Sequence, residues 1–172
     1  MKWWLTIAQL DVQLFLWLHE FRYRLVLAHL SKWVSKTGDG MLYLVIPMVL
    51  ALKGMIPWSW LLALSLIFAL ERACYWLLKN GLKRNRPADF LPFFNSFVKP
   101  SDRFSFPSGH SSAAFLFAGF LVLVFPGMML PIFLWSAAIA LSRVFLGVHF
   151  PGDVLVGSCM GFLFSLLLRG LL

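Results

Sequence analysis

Residues 111–142, SSAAFLFAGFLVLVFPGMMLPIFLWSAAIALS, run for 32 residues without one charged side chain. That is too long for a single helix through a hydrocarbon core of about 30 Å, and Pro126-Gly127 supplies a break. The stretch therefore reads as two apolar helices meeting at a turn. Further uncharged material lies on either side. Residues 154–168 form a last apolar segment, and residues 41–70 hold a single charge, Lys53, beside Gly54 and shortly before Pro57. The latter predicts two more spans joined by a tight polar hairpin, the second running on to about Lys79. The expectation is an all-α polytopic membrane bundle of about five transmembrane helices.

Composition agrees. Of 172 residues, 60% are hydrophobic and 13% charged, against about 45–50% and about 25% in soluble domains. So little polar material cannot clothe a fold in water, and lipid must solvate it. The same figures exclude intrinsic disorder and a disulfide-stapled secreted scaffold. Cys74 and Cys159 both lie in apolar segments, where packing is the expected role. The net charge of +8 points, in a membrane protein, to anionic headgroups or a phosphate-bearing substrate rather than to nucleic acid.

Ahead of the spans, residues 1–20 carry Lys2, Thr6, Gln9, Gln13 and Glu20 at helical spacing, a polar stripe on an aromatic-rich helix. A second amphipathic stretch sets Arg22, His29, Lys32 and Lys36 against Tyr23, Val26, Leu27, Leu30 and Trp33. Both read as helices lying in the interface, His19 and His29 being ordinary surface residues there. Asp11 makes a spanning first helix costly. Gln9, Asp11 and Gln13 also interrupt the apolar core that a signal peptide needs.

Residues 80–108 differ from the rest, with Lys83, Arg84, Arg86, Lys99 and Arg103 among four prolines and six phenylalanines. A loop this long is expected to be functional. With five spans, this loop, the N-terminal helices and the Gly147–Asp153 turn share one membrane face. Three clusters meet there. The first runs from Lys79 to Arg86-Pro87, the second is Pro107-Ser108-Gly109-His110, and the third is Ser142-Arg143, His149 and Asp153. Singly, each has a bland explanation: headgroup anchors, a helix N-cap, interfacial filler. Together they supply free backbone N–H groups at a helix start, three cations and two imidazoles. Asp153 lies four residues after His149, within reach to orient a nucleophilic ring, and His110 adjoins the anion site as a candidate acid. That inventory fits phosphoryl transfer, and no cluster of carboxylates is available for magnesium. Glu71-Arg72 reads equally as a structural ion pair or as support for the site.

These clusters, in order and with intact spacing over residues 79–153, resemble the tripartite signature of the type 2 phosphatidic acid phosphatase family. The superfamily is shared with bacterial acid phosphatases and vanadium haloperoxidases. In length the chain resembles the short bacterial members acting on undecaprenyl diphosphate. The resemblance implies metal-independent hydrolysis of a lipid phosphate, with no cofactor. His149 would form a phosphohistidine, Asp153 would orient it, and His110 would protonate the leaving oxygen. Lys79, Arg86, Ser108, Gly109 and Arg143 would hold the phosphoryl oxygens. Residues 1–172 are then expected to form one phosphatase domain, 1–37 interfacial and 38–172 the catalytic bundle.

Undecaprenyl diphosphate is the first expected substrate, then phosphatidate or phosphatidylglycerol phosphate. The alternatives are a phosphotransferase using the same phosphohistidine and a non-enzymatic transporter of anionic lipid. Nine basic residues outside the motifs fall on the catalytic face, which by the positive-inside rule would be cytoplasmic. The family resemblance implies the opposite side, and the expectation is a bacterial cytoplasmic membrane with an extracytoplasmic site. The bilayer and its lipid phosphates are the expected partners. The sequence carries no signal for an oligomeric state.

Overall fold

The computed structural model describes residues 2–172, with the side chains of Thr6 and of residues 8–172; Lys2 of the polar stripe lies outside the described side chains. The described residues are helical, without strands: α1 (Lys2–His19), α2 (Arg24–Lys36), α3 (Met41–Leu52), α4 (Trp58–Leu82), the short α5 (Pro87–Phe90), α6 (Gly109–Val124), α7 (Met129–Phe145) and α8 (Pro151–Leu171). A single 3₁₀ turn at Pro126–Met128 sits at the expected break between α6 and α7.

All five expected apolar segments are helical. Three are long and apolar enough to cross a bilayer: Trp58–Phe90, Pro126–Phe145 and Pro151–Leu171. The other two, α3 with 12 residues and α6 with 16, are about 18 and 24 Å long, short of the hydrocarbon thickness. Turn chemistry sets these lengths. Gly40 and Gly54 take positive φ of 92° and 69° on either side of α3, and Pro126 stops α6 at its far end.

α6 lies at the centre, packed chiefly on α8 and then α7, with α2 on the outer side of α7. The α6–α8 crossing is made by glycines. A Cβ on Gly161 would stand 2.0 Å from the Ser112 carbonyl oxygen, and one on Gly157 would stand 2.4 Å from that of Ser108. Across the same seam Gly119 meets Ser165, its Cβ position 2.2 Å from the serine Cβ. Gly157 and Gly161 form a small-xxx-small face, the usual means of bringing two membrane helices into backbone contact.

Large apolar residues are buried in two groups: Leu64, Ile67, Phe117 and Phe120 between α4 and α6, and Phe15, Val144 and Phe150 beneath α1. Many others, including Leu44, Leu62, Leu77, Leu155 and Leu163, point outward, as lipid-facing positions should. In α2 the buried seam is Ala28, Ser31 and Ser35, while Tyr23, Val26, Leu30 and Trp33 are exposed. The two-sided pattern of that helix thus conceals a third, small-residue face on α7. His19 departs from the surface role expected of it. It is buried against Phe15 and Phe94. Cys159 likewise lies on an exposed helix face rather than in packing.

Candidate active site

Each cluster is placed by a helix end. Lys79 sits in the last turns of α4, which closes on Lys83 in the left-handed region, φ 48°. The chain then turns so that Arg86 precedes the proline that opens α5. Ser108 is the N-cap of α6, its Oγ accepting from the Ser111 hydroxyl at 2.8 Å. Arg143 ends α7, and His149 lies in the turn before α8, whose first turn holds Asp153. Lys79, Arg86, Ser108, Ser142, Arg143, His149 and Asp153 are all buried.

The three clusters are bonded to one another. Arg86 Nη1 donates to the Val148 carbonyl at 2.6 Å, joining the first to the third. The Ser108 amide donates to the Asp153 carbonyl at 3.0 Å, joining the second to the third. Gly109 lies where a Cβ would stand 3.0 Å from the Tyr75 ring, and its carbonyl accepts from Arg72 at 3.2 Å. Glu71, fully buried, pairs with Arg72 and accepts from Ser112. The Glu71-Arg72 pair is therefore both an ion pair and a brace for the start of α6.

His149 is the nearest imidazole to Asp153. Its Nδ1 stands 3.8 Å from Asp153 Oδ2, outside hydrogen-bond reach, and has no partner. Burial drives the ring to a pKa of about 4, against the pull of the Asp153 carboxylate, so it is neutral at physiological pH. Asp153 Oδ2 accepts from the Phe150 amide at 2.8 Å and Oδ1 from Arg84 at 2.7 Å. His110 Nε2 lies 2.9 Å from Asp39 Oδ1. Arg143 donates through Nη1 to Ser35 at 2.6 Å, while its buried Nε–H has no partner. A buried guanidinium N–H left unmatched is costly unless an acceptor arrives.

Several partners at the site escaped the sequence reading. Asp102 takes Lys79 Nζ at 2.8 Å and the Tyr75 hydroxyl at 2.7 Å, and pairs with Arg86. Its backbone carbonyl also accepts from Arg86 Nε at 2.9 Å. Burial alone would raise that carboxyl, but the bonds from Lys79, Tyr75 and Arg86 outweigh it and hold the pKa at about 2. Asp39, Tyr75 and Asp102 stand at no motif spacing. The only hint was that Asp102 lies six residues before Ser108, in a loop already marked as functional.

From His110, Asp39 and Arg72 a cavity of about 870 Å³ runs down between α3 and α4, past Leu44, Leu61 and Phe68. Its mouth is polar and its body apolar, the shape of an amphiphile.

Comparison with known proteins gives the family and the fold. The family model described as PAP2 superfamily matches residues 60–171. Phosphatidylglycerophosphatase B of Bacillus subtilis is 34% identical over 159 residues, covering 80% of this chain and 75% of that protein. The lipid A 1-phosphatase of Rhizobium johnstonii is 36% identical over 95 residues, 53% of this chain and 39% of the relative. Among solved structures, the transmembrane PAP2-type phosphatidylglycerolphosphate phosphatase of Bacillus subtilis superposes with a TM-score of 0.77 at 28% identity, covering 96% of this chain and 86% of its own. Aquifex aeolicus LpxE gives 0.78 at 25% identity, covering 94% and 95%.

Proposed function

The chain belongs to the PAP2 superfamily and is an integral membrane lipid phosphatase, and from that premise we propose that it cleaves a lipid phosphomonoester through a phosphohistidine on His149. The observation that carries the reading is a buried, neutral His149 within the electrostatic reach of Arg86 and of Arg143, whose buried Nε–H is unmatched. Neutral imidazole has the lone pair that attack requires. With Nδ1 facing Asp153, Nε2 is the atom that bonds to phosphorus. The bond from phosphorus to the lipid oxygen breaks as that oxygen takes a proton from His110. Water, giving a proton to the now neutral His110, then attacks the phosphohistidine, releasing orthophosphate and restoring both histidines. Lys79, Arg86, Arg143, the Ser108 hydroxyl and the Gly109 backbone N–H hold the phosphoryl oxygens, whose charge grows in the transition state.

Two features support a lipid leaving group. The apolar cavity begins at His110, where the leaving oxygen would emerge. The relatives are named for phosphatidylglycerophosphate and lipid A phosphate, and another, from Mycobacterium tuberculosis, for decaprenylphosphoryl-5-phosphoribose. These move phosphatidylglycerol phosphate ahead of undecaprenyl diphosphate, the first expectation from sequence. We take the site to lie on the extracytoplasmic face of a bacterial cytoplasmic membrane, as the family resemblance implies and against the basic residue count. Residues 1–172 act as one domain in this reading.

The test is phosphate release from a lipid panel in detergent, with EDTA present, by wild type and His149→Ala. Release from phosphatidylglycerol phosphate that disappears in the variant is expected. Wild-type turnover by His149→Ala would remove the nucleophile assignment. Cysteine labelling from each side of sealed vesicles tests the face.

A further inference from the structure

The N-terminal helix reaches the catalytic turn through one carboxylate. Asp11 Oδ2 lies 2.7 Å from Arg84 Nη2, and the other arm of that guanidinium, Nη1, donates to Asp153 Oδ1 at 2.7 Å. The plane of Arg84 rests 4.3 Å over the Phe150 ring, which fixes its direction. Asp11 Oδ1 also accepts from the Gly152 amide at 2.7 Å, in the first turn of α8. There it satisfies a free N–H and meets the positive end of the helix. The approach requires glycine: a Cβ at residue 152 would stand 2.8 Å from Asp11 Oδ2. Asp11 is nearly buried, its side chain 10% exposed. Such a group on a helix bordering lipid is expensive without a purpose.

We propose that Asp11 is a positioning residue for the nucleophile, acting through Arg84 and the start of α8 on Asp153. It rests on the roles proposed for His149 and Asp153. The reason is electrostatic and geometric. Two carboxylates share one guanidinium, so the cluster keeps a net charge of about −1 by formal count. That surplus faces the ring on which positive charge develops as phosphorus bonds to nitrogen. Sharing also splits the guanidinium fork. Without Asp11, both arms of Arg84 are free to close on Asp153 as a bidentate pair. That would draw Oδ2 away from the Phe150 amide and from His149. Asp11 lies on α1, outside residues 60–171, the part matched by the family model.

The experiment compares Asp11→Asn, Asp11→Glu and Gly152→Ala with wild type and His149→Ala. The readouts are phosphate release from phosphatidylglycerol phosphate in detergent, inhibition by orthophosphate, and thermal unfolding. Asp11→Asn is expected to lower kcat about tenfold with KM and the orthophosphate inhibition constant unchanged, because Lys79, Arg86 and Arg143 are untouched. Asp11→Glu keeps the charge and retains more turnover than Asp11→Asn. Gly152→Ala removes no charge but displaces Asp11, and is expected to show the same fall in kcat. Wild-type kcat in both Asp11→Asn and Gly152→Ala, with His149→Ala inactive, overturns the proposal and leaves the nucleophile standing. Turnover in His149→Ala overturns the assignment beneath it. A lower unfolding temperature with kcat unchanged assigns Asp11 to structure alone and also overturns it.

Discussion

The Asp102 carboxylate accepts a hydrogen bond from Lys79 Nζ at 2.8 Å, inside the cation cluster assigned to the substrate phosphate. Lys79 has three donors and spends two, on Asp102 and on Tyr75, which leaves one for an incoming oxygen. Asp102 therefore aims the cation. Asp102→Ala is expected to lower kcat/KM for phosphatidylglycerol phosphate by about 10²-fold, the scale of losing one oriented charge stabiliser. Inhibition by orthophosphate should weaken in parallel. Tighter inhibition would instead show a carboxylate competing with phosphate for the same donors.

His149 should stay neutral until about pH 4, and histidine ¹⁵N NMR on the detergent-solubilised protein, assigned with His149→Gln, checks it. The unfolded chain binds this proton near pH 6.5, so between about 6.5 and 4 it holds more protons than the folded one. The contribution to stability is whole above pH 6.5 and is lost as pH falls toward 4. The unfolding temperature of His149→Gln should accordingly drop less than wild type between pH 7 and 5. A ring titrating near 6.5 in the folded protein would contradict the burial argument.

At the α6–α8 crossing, Gly161→Val should destabilise by about 1–3 kcal/mol or more, the cost of forcing atoms into a filled interior. No side chain can swing aside, since the neighbour is the Ser112 backbone. Gly170→Ala on the same helix meets nothing within 4 Å and should leave thermal unfolding in detergent unchanged. Equal effects from both would mean that the crossing is not close-packed.

Ser65 lines the apolar cavity. Ser65→Trp should raise KM for a long-chain lipid phosphate more than about tenfold while sparing a small soluble phosphomonoester. The two substrates assayed side by side give the answer. An equal loss on both would mean the cavity does not hold the chain.

Much of this molecule could be read from its residues, though unevenly. Uncharged runs and Pro126-Gly127 located the helices, because lipid leaves the backbone no other structure. They could not say that α3 and α6 fall short of a full span, which depends on where Gly40, Gly54 and Ser108 turn the chain. The three clusters were visible because their spacing is local. Asp11, Asp39 and Asp102 were not, since each reaches its partners in other elements across 16 residues of sequence or more, the separation between Asp102 and Arg86. In the sequence Asp11 counts only as a cost against a spanning first helix. The same burial cost in fact marks a side chain bound to Arg84 and Gly152.

Since Gly157 rests on the Ser108 carbonyl, the groups proposed to attack and to protonate stand on either side of a joint with no methyl to spare. The proposed chemistry is thereby insulated from the wall of the apolar cavity, where Met48 and Leu61 lie. New headgroups or tails can be accommodated by exchanging such residues, and the spacing of the reacting atoms need not be reinvented each time.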